Sequence, residues 1–425
     1  MEGTTTEAVA RASQAAYLIA GKQFRTDSSG FAEAIAAAHA EHHRPRCLCL
    51  RDGIEMYVAR LGDGFIVKRM PNTGSQHALD CPSYEPPPEF SGLGQVLGSA
   101  ITEDPATGET TLKLDFSMSK RSGRSTTPAY GSAGDSVLSD GTKLSLRGLL
   151  HYLWDQAELT RWHPGFAGKR SWATVRRHLL QAAENKIARG SSLDARLYIP
   201  EIFSVEQRDS IYARRSSQWA YAVSSPGMPQ HLMLLIGEVK EIVPARYGFK
   251  AVIKHVPDQP FALDEQLYRR MGRRFERELS LWGASDASHM MIIATFGLKD
   301  SGVPTVEELS LMPVTGQWLP IEDLFERQLI DRLVREGRSF MKGLRYNLPA
   351  ELPIACATLT DTTASPLPMF IESGALPDSA GGDAAAVFSE IDLSSRWCWN
   401  KARGHMPSIP EPSPNRNFTG SASTR

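Results

Sequence analysis

The chain has few cysteines, no long apolar run and no secretory signal. Only five of its 425 residues are cysteines, and this low, odd number shows no disulfide-framework pattern, which favours a reducing cytoplasm. No apolar run approaches the roughly 18 residues that a bilayer-spanning helix needs. The first residues, MEGTTTEAVARASQ, lack a basic segment followed by an apolar one. These absences predict a cytoplasmic protein without a membrane partner.

An excess of charge of either sign is also missing. The chain carries 47 basic and 48 acidic residues, which gives a formal net charge of −1. The surface as a whole therefore does not attract nucleic acid, and such a partner would have to bind a local basic patch. The length of 425 residues and the hydrophobic content of 41% predict two or three globular domains.

Helical and strand-like patterns both occur along the chain, which predicts an α+β, multidomain protein. The predicted units are, in order, a helix with a zinc-binding hairpin unit at 1–119, a Ser/Gly-rich linker at 120–142, a helical pair with a central α+β domain at 143–315, an α/β domain at 316–405 and a disordered Pro/Ser-rich tail at 406–425. In the first unit, GIEMYVAR and GFIVKRM are typical of two strands, and the turn Gly62-Asp63-Gly64 between them predicts a hairpin.

Three of the five cysteines lie close to a histidine in the first unit. The spacing is Cys47-x-Cys49, then 27 residues, then His77-x3-Cys81. Thiolates and imidazole are the ligands that zinc prefers, and four of them complete a tetrahedron without an open position. The hairpin between the two pairs can return the second pair to the first. We therefore predict a structural zinc site at these four residues, which stabilises a unit of little apolar content.

Buried free cysteines, which pack as small hydrophobic residues, are the alternative to a metal site. Three cysteines and one histidine within a single window of 35 residues favour the metal. The other two cysteines, Cys356 and Cys398, stand alone and are predicted to be core residues.

Several short stretches of the chain resemble a known family. These stretches are AHAEHHRPRCLC, VKRMPNTGSQHALDCPSYEPP, GRSFMKGLRYN and TLTDT. On the basis of these stretches, the chain from about Phe31 to about Pro410 is similar to the bacterial domain-of-unknown-function 1173 family. Members of that family tend to be carried on conjugative and integrative mobile elements. The resemblance therefore implies a genetic context and adds no activity of its own.

Carboxylates near the C-terminus follow the order of a nuclease core. A helix with Glu326 precedes the strand-like FMKGLRY, then a strand ending at Asp361, then the strand-like PMFIES with Glu372. This order is similar to the PD-(D/E)xK nuclease core, in which two carboxylates at adjacent strand ends hold Mg²⁺, which polarises phosphate and activates water. The lysine that normally follows the glutamate by two residues is replaced by Gly374. Lys342 from the neighbouring strand would have to substitute for it, or the site is inactive.

Each of these residues also has an ordinary structural interpretation. Glu326 would be a solvated helix residue, Asp361 a turn cap and Glu372 an edge charge. A second motif with the right ending, Glu238-x-Lys240, follows the apolar run LMLLIG but lacks an aspartate on a preceding strand. A cross-strand charge pair is therefore the preferred interpretation of Glu238.

Residues 263–279 predict an amphipathic helix with a basic side. Its apolar stripe consists of Leu263, Leu267, Met271, Phe275 and Leu279. Five arginines fall largely on the other side and could follow a phosphate backbone, namely Arg269, Arg270, Arg273, Arg274 and Arg277. Glutamates on the same helix dilute this charge, so an ordinary solvated face is the alternative.

Two functions from different classes remain open. The first is a zinc-stabilised protein that binds nucleic acid or another macromolecule as an accessory of a mobile element, with DNA and other mobile-element proteins as the expected partners. The second is a Mg²⁺-dependent nuclease, intact or degenerate, that uses the C-terminal carboxylates. The missing lysine favours the first function.

Overall fold

The computed structural model describes residues 15–120, 141–224, 227–285, 287–362, 365–372 and 396–413. The linker predicted at 120–142 and the tail predicted at 406–425 therefore fall largely outside the described residues. Within the ranges given, every helix is too short or too polar to cross a bilayer.

The described residues form a mixed α+β fold, as the sequence predicts. The helices are α1 (Phe31–Ala40), α2 (Leu93–Val96), α3 (Leu146–Gln156), α4 (Trp172–Ala183), α5 (Arg208–Trp219), α6 (Glu265–Arg274), α7 (Glu276–Gly283) and α8 (Leu324–Arg335). The strands are β1 (Ala16–Ile19), β2 (Lys22–Arg25), β3 (Arg46–Cys47), β4 (Ile54–Leu61), β5 (Gly64–Arg69), β6 (Ile101–Glu103), β7 (Thr110–Leu112), β8 (Ser119–Lys120), β9 (Arg161–Trp162), β10 (Lys186–Ala188), β11 (Ser191–Ser192), β12 (Leu197–Tyr198), β13 (Gln230–His231), β14 (Met233–Pro244), β15 (Phe249–Ile253), β16 (Phe261–Leu263), β17 (His289–Leu298), β18 (Pro304–Val314), β19 (Phe340–Lys342), β20 (Ala355–Leu359), β21 (Leu367–Glu372) and β22 (Trp397–Asn400).

Within the first unit, β1 to β5 form a five-stranded sheet with α1 against it, whereas β6 and β7 join β10 and β11 in a second sheet. The strand order is β2-β1-β3-β4-β5, and β4 and β5 form the predicted antiparallel hairpin around the Gly62–Gly64 turn. Helix α1 buries Ile35 and Ala38 in the core of this unit. Met341, from β19 near the C-terminus, belongs to the same core. The first unit is therefore packed against the C-terminal part of the chain and does not stand alone.

Five strands in the centre of the chain close into a barrel. Around the barrel the order is β14-β15-β16-β18-β17, and β17 also pairs with β14. All of these neighbours are antiparallel except β16 and β18, which are parallel. A bulge between Val239 and Glu241 bends the 12-residue β14 where it leaves β17 and begins to pair with β15. Because of this bend, β14 pairs with β17 along its first half and with β15 along its second half, which closes the barrel.

The connection between β16 and β17 carries the two helices α6 and α7. Their apolar side, including Met271 and Phe275, reaches the core inside the barrel, where Leu235 and Phe261 also lie. The sequence predicts one continuous helix here, whereas the structure divides it at Phe275, which has φ −112° and ψ 28°. The break lets the Phe275 ring enter the barrel core, since only 2% of this residue is exposed.

Helices α3 and α4 cover one side of the barrel. Ser145 and Ser171 cap them, because each side chain accepts a hydrogen bond from the backbone three residues ahead. Leu149 of α3 shares a core with Leu234 and Ile293, which point outward from barrel strands β14 and β17. Side chains of β14 and β17 are therefore buried on both faces, which explains their nearly continuous apolar sequences.

The C-terminal sheet has the order β22-β21-β20-β19-β9. Helix α8 packs on it through buried leucines such as Leu329 and Leu333. Strand β9 precedes the predicted domain boundary at 315, yet it pairs with β19 through Trp162 and Phe340. The central and C-terminal parts of the chain therefore share this sheet.

The described start of the predicted tail, residues 406–413, is attached to the C-terminal sheet. Ile409 is buried in the core of that sheet. The Trp397 indole donates a hydrogen bond to the backbone oxygen of Ser408, 2.9 Å away, and the Ser413 amide donates to that of Asp361, also 2.9 Å away. The prediction of disorder is wrong for these residues, because backbone hydrogen bonds and one apolar side chain anchor them.

Candidate functional site

The four predicted metal ligands come together in the structure. Their ligand atoms all lie within 4.8 Å of one another. The Cys47 and Cys81 sulfurs are 3.7 Å apart, and the His77 Nδ1 lies 3.4 Å from the Cys49 sulfur. Two thiolates at about 2.3 Å from a shared tetrahedral ion would be roughly 3.8 Å apart. The arrangement therefore could hold a metal ion, and the predicted convergence of these residues is confirmed.

Local structure explains why the four ligands meet. Cys47 ends β3, which lies beside β4, so the hairpin brings the chain back to its starting edge. A short turn at Gly74–Gln76 then presents His77 and, four residues later, Cys81. The Ser83 amide lies 3.4 Å from the Cys81 sulfur, a contact that stabilises a thiolate. The second ligand pair is thus fixed by backbone structure of its own.

The three thiols of the centre differ in acidity: the hydrogen bond with Cys81 and burial raise the pKa of Cys47, and burial raises the pKa of Cys49. The Cys47 thiol, then His77 and the Ser83 amide, lower the pKa of the Cys81 thiol to about 4 against the opposing effect of burial. Cys47, His77 and Cys81 are 1%, 4% and 5% exposed. Four protein ligands in so closed a space leave no position for water or substrate, so the centre has the form of a structural site and not a catalytic one.

The C-terminal carboxylates do not meet. Asp361 follows the end of β20 and Glu372 ends β21, and these strands are antiparallel, with Ala355 opposite Phe370 and Leu359 opposite Leu367. The two carboxylates therefore lie at opposite ends of the strand pair, roughly 20 Å apart at about 3.3 Å per residue. Ligands of one Mg²⁺ lie about 2 Å from it, so these two cannot share an ion. The predicted juxtaposition is wrong.

Each of these carboxylates has a structural partner instead. Asp361 accepts two hydrogen bonds from the Arg338 guanidinium, at 2.9 and 2.7 Å, and one from the Ser339 amide at 2.9 Å. Arg338 is only 2% exposed, so this is a buried ion pair. Glu372, the last residue of β21, lies 3.3 Å from the Arg396 guanidinium. Asp361 therefore fastens β19 to β20.

Glu326 and Lys342 pair with each other, away from Asp361. The Lys342 ammonium lies 2.8 Å from a Glu326 carboxylate oxygen, and both residues are buried. The interpretation of Glu326 as a solvated helix residue is therefore wrong. Burial raises the pKa of Glu326. The pKa of Lys342 is also raised, because the negative charges of Glu326 and Glu322 outweigh the lowering effect of burial. Glu322 itself pairs with Arg345 at 2.6 Å, so the pair belongs to a buried network that holds α8 against β19.

Comparison with known proteins decides the family. A family model with the description "Protein of unknown function (DUF1173)" matches residues 17–402. The chain belongs to the DUF1173 family. The match includes the metal ligands, the barrel and the C-terminal sheet. No curated protein and no solved structure matches the chain. DUF1173 membership assigns no activity, so the function of this member has to be argued from its own residues.

The arginine side of α6 and α7 in this DUF1173 chain is exposed. Leu267, Met271 and Phe275 are buried beneath it, which confirms the predicted apolar stripe at these positions. The predicted nucleic-acid-binding residues, Arg269, Arg270, Arg273, Arg274 and Arg277, all face solvent. Arg269 pairs with Glu265 at 2.6 Å, and burial lowers the pKa of Arg274. These two are therefore partly engaged by the protein itself.

Glu238 forms a cross-strand charge pair, as the sequence favours. Its carboxylate pairs with Lys254, and it lies 2.6 Å from Nδ1 of His289 on β17. Lys240 is exposed. His289 and Lys254 lower the pKa of Glu238 despite the opposing effect of burial. These contacts fasten β14 to its neighbours at the bulge.

Sequence reasoning missed the turn between β14 and β15. This turn, at 245–248, carries Arg246 and Tyr247, and Tyr247 is 82% exposed. Ala251 and Ile253 of β15 belong to the core inside the barrel, so the alternating Lys250 and Val252 point outward. We call Arg246, Tyr247, Lys250 and Val252 the barrel face. The ARYG sequence is a usable turn signal, but its position on a barrel is not visible in the sequence.

Proposed function

We propose that this chain is a zinc-stabilised nucleic-acid-binding protein whose binding site is the barrel face together with the adjacent arginine side of α6 and α7. The observation that carries the proposal is the connectivity of the barrel. As the sequence analysis suggests, the protein would serve as an accessory of a bacterial mobile element, with DNA and other mobile-element proteins as partners.

The barrel has the connectivity of the oligonucleotide/oligosaccharide-binding (OB) fold. Numbered along the chain, its strands are β14, β15, β16, β17 and β18, with α6 and α7 between the third and the fourth. The order around the barrel is first, second, third, fifth, fourth and back to first, and the third and fifth strands are parallel. Proteins of this architecture bind oligonucleotides or oligosaccharides on the second and third strands and on the first and last hairpin turns.

Likeness of fold alone does not establish function, so the chemistry of the surface has to agree. The outer side of β17 and of the first half of β14 is covered by α3. Lys250 and Val252 on the second strand are only partly buried by the residues that the structure describes. The side left open is therefore the one that binds ligands in this architecture, and it carries Arg246 and Lys250.

The basic side of α6 lies next to the barrel face. Gly248 of the 245–248 turn sits so close to the end of β16 that a Cβ there would lie 2.6 Å from the Leu263 backbone oxygen. Helix α6 begins at Glu265, two residues after Leu263. The turn therefore adjoins the first turn of α6, where the exposed Asp264 and Glu265 precede the arginines, and a polyanion on this surface would reach Arg270 and Arg273 beyond these two carboxylates.

Zinc is the ion that the metal centre fits best. Three thiolates and one imidazole are a ligand set that zinc occupies in structural sites, usually at four-coordinate tetrahedral geometry. Residues Cys47, Cys49, His77 and Cys81 would hold the ion, and its role would be to stabilise the first unit. The alternative of a Mg²⁺-dependent nuclease loses its support, because the two carboxylates on which it depends lie apart.

Binding through this surface should depend on salt. We expect the affinity of the zinc-loaded protein for DNA to fall with salt concentration, with a slope in log–log form of about −0.7 to −0.9 per phosphate contact. The triple variant Arg270→Gln/Arg273→Gln/Arg277→Gln should reduce the magnitude of that slope by about 2, and about equally for DNA of any sequence, because phosphate contacts carry no sequence information. Fluorescence anisotropy titrations at several salt concentrations measure both effects.

A matched control removes the same charge elsewhere. The variant Arg51→Gln/Arg60→Gln/Arg335→Gln neutralises three exposed arginines outside the proposed surface. It should leave the salt slope unchanged. Equal slopes in the two triple variants, or binding that does not respond to salt, would remove the arginine side of α6 and α7 from the site.

A further inference from the structure

We infer that the ligand of the barrel face is single-stranded nucleic acid, and that Tyr247 stacks on an unpaired base. This inference rests on the proposed function and specifies its ligand class. An exposed tyrosine is not unusual by itself. The argument therefore depends on where Tyr247 stands, how firmly it is held and what surrounds it.

Tyr247 projects from the turn that joins the first two barrel strands, and it is 82% exposed. The guanidinium of Arg246 lies 5.3 Å from the centre of its ring, close enough for a cation–π contact. The outer face of the ring remains available. Aromatic rings next to basic side chains are what proteins use to bind single strands without sequence preference, since every base has a π-face.

The turn that carries Tyr247 is held at its base by contacts with β16 and α6. The Ala245 amide donates a hydrogen bond to the Gly248 backbone oxygen, 3.0 Å away. Gly248 has φ +80°, and its missing Cβ allows the close approach to β16 described above. Next to it, the Phe249 ring stacks on Tyr268 of α6, with ring centres 3.4 Å apart. Little conformational freedom of the backbone would therefore be lost when a base stacks on Tyr247.

Charged side chains of both signs lie around Tyr247. Arg246 and Lys250 contribute two cations on the same side of the turn and the second strand. The carboxylates at the start of α6 are engaged, because Asp264 accepts a hydrogen bond from the Leu267 amide at 2.7 Å and Glu265 pairs with Arg269. Glu241, opposite Val252, is the carboxylate at the margin of the face. The cation in contact with the Tyr247 ring is therefore Arg246, and an anionic strand would pair with it and with Lys250.

Duplex DNA cannot use this contact. Its bases are already stacked within the helix, and only phosphates and groove edges are accessible. An unpaired strand can place a base on the Tyr247 ring while its phosphates meet Arg246, Lys250 and the arginines of α6. The structure therefore predicts a preference for single strands that depends on one aromatic ring.

The test compares Tyr247→Ala with Tyr212→Ala in the full zinc-loaded chain. Tyr212 is a matched control, because it is also exposed, at 55%, and also has an arginine over its ring, namely Arg215 at 5.4 Å. The probes are a fluorescein-labelled oligothymidylate of about 20 nucleotides and a duplex of equal length, a span that exceeds the site of one such barrel. Anisotropy gives the dissociation constants.

We expect Tyr247→Ala to weaken oligothymidylate binding by about 5- to 100-fold. Tyr247→Trp should retain it, and Tyr212→Ala should have no effect. Binding to the duplex should be weaker than to the single strand and unchanged in all variants. If Tyr247→Ala equals Tyr212→Ala on the single strand, or the duplex binds as tightly, the inference is overturned while nucleic-acid binding stands. If neither probe binds, the proposed function fails and the inference with it.

Discussion

Replacing Cys47 with serine is expected to abolish zinc binding and to unfold the first unit. Metal-binding free energy is folding free energy in small metal-stabilised units, and a structural site of this kind contributes on the order of 10 kcal/mol. That amount is comparable to the whole stability of an ordinary domain. Elemental analysis should find about one zinc ion per wild-type chain, because the four ligands together bind one ion, and no zinc in the variant. Circular dichroism should show a lower unfolding temperature.

Cys356→Ser provides the matched control for this experiment. Cys356 is also a buried cysteine, 8% exposed, but it lies in the core of the C-terminal sheet. Its replacement should cost about 1–3 kcal/mol, the penalty for burying an unpaired polar group, and leave the zinc content unchanged. Wild-type protein without zinc, together with unchanged stability of Cys47→Ser, would refute the metal site.

The second large effect is expected for Asp361→Ala. This change leaves the Arg338 guanidinium buried without its carboxylate, and breaking a buried ion pair typically costs about 3–5 kcal/mol. We therefore expect a loss of that size in the free energy of unfolding, measured by urea denaturation.

Glu372→Ala separates this account from a catalytic one. The Glu372 side chain is 39% exposed and its ion pair with Arg396 is correspondingly weak, so we expect a change of about 0–1 kcal/mol. If Asp361 and Glu372 held one Mg²⁺, their variants would behave alike, with lost cleavage and similar stability. Equal stability of the two variants would therefore contradict the structural role of Asp361.

The metal site was predictable from the sequence because its determinants are local. Two short ligand pairs, Cys47-x-Cys49 and His77-x3-Cys81, flank a hairpin whose turn is marked by Gly62 and Gly64. A hairpin returns the chain to its starting edge whatever the rest of the fold does. The ligand chemistry then leaves few alternatives. No long-range pairing has to be known.

The carboxylate prediction failed for a geometric reason. The two strands that carry the carboxylates, β20 and β21, are antiparallel neighbours. Asp361 follows the end of one strand and Glu372 ends the other, and in antiparallel neighbours those ends point in opposite directions. The same connection that made the strands adjacent therefore separated the two carboxylates. Arg338, the true partner of Asp361, lies 23 positions earlier, beyond the reach of a local pattern.

The barrel was not predictable, although most of its strands were. The apolar runs that form β14 and β17 and the alternating β15 are visible in the sequence. Closure depends on pairing β14 with β17 and β16 with β18, which lie tens of residues apart and carry no turn signal between them. The barrel face was not predictable for the same reason. The position of Tyr247 suggests a binding role only when the barrel is known, because its turn then joins the first two barrel strands.

Photocrosslinking tests the central claim, nucleic-acid binding at the barrel face, most directly. The zinc-loaded protein is bound to an oligothymidylate containing 4-thiothymidine, irradiated, digested with trypsin and analysed by mass spectrometry. We predict adducts within residues 241–277, with the peptide 247–250, which carries Tyr247, among the strongest. Adducts confined to the helices at 146–183 or to the C-terminal sheet, or no adduct under conditions where free oligonucleotide is in excess, would contradict the account.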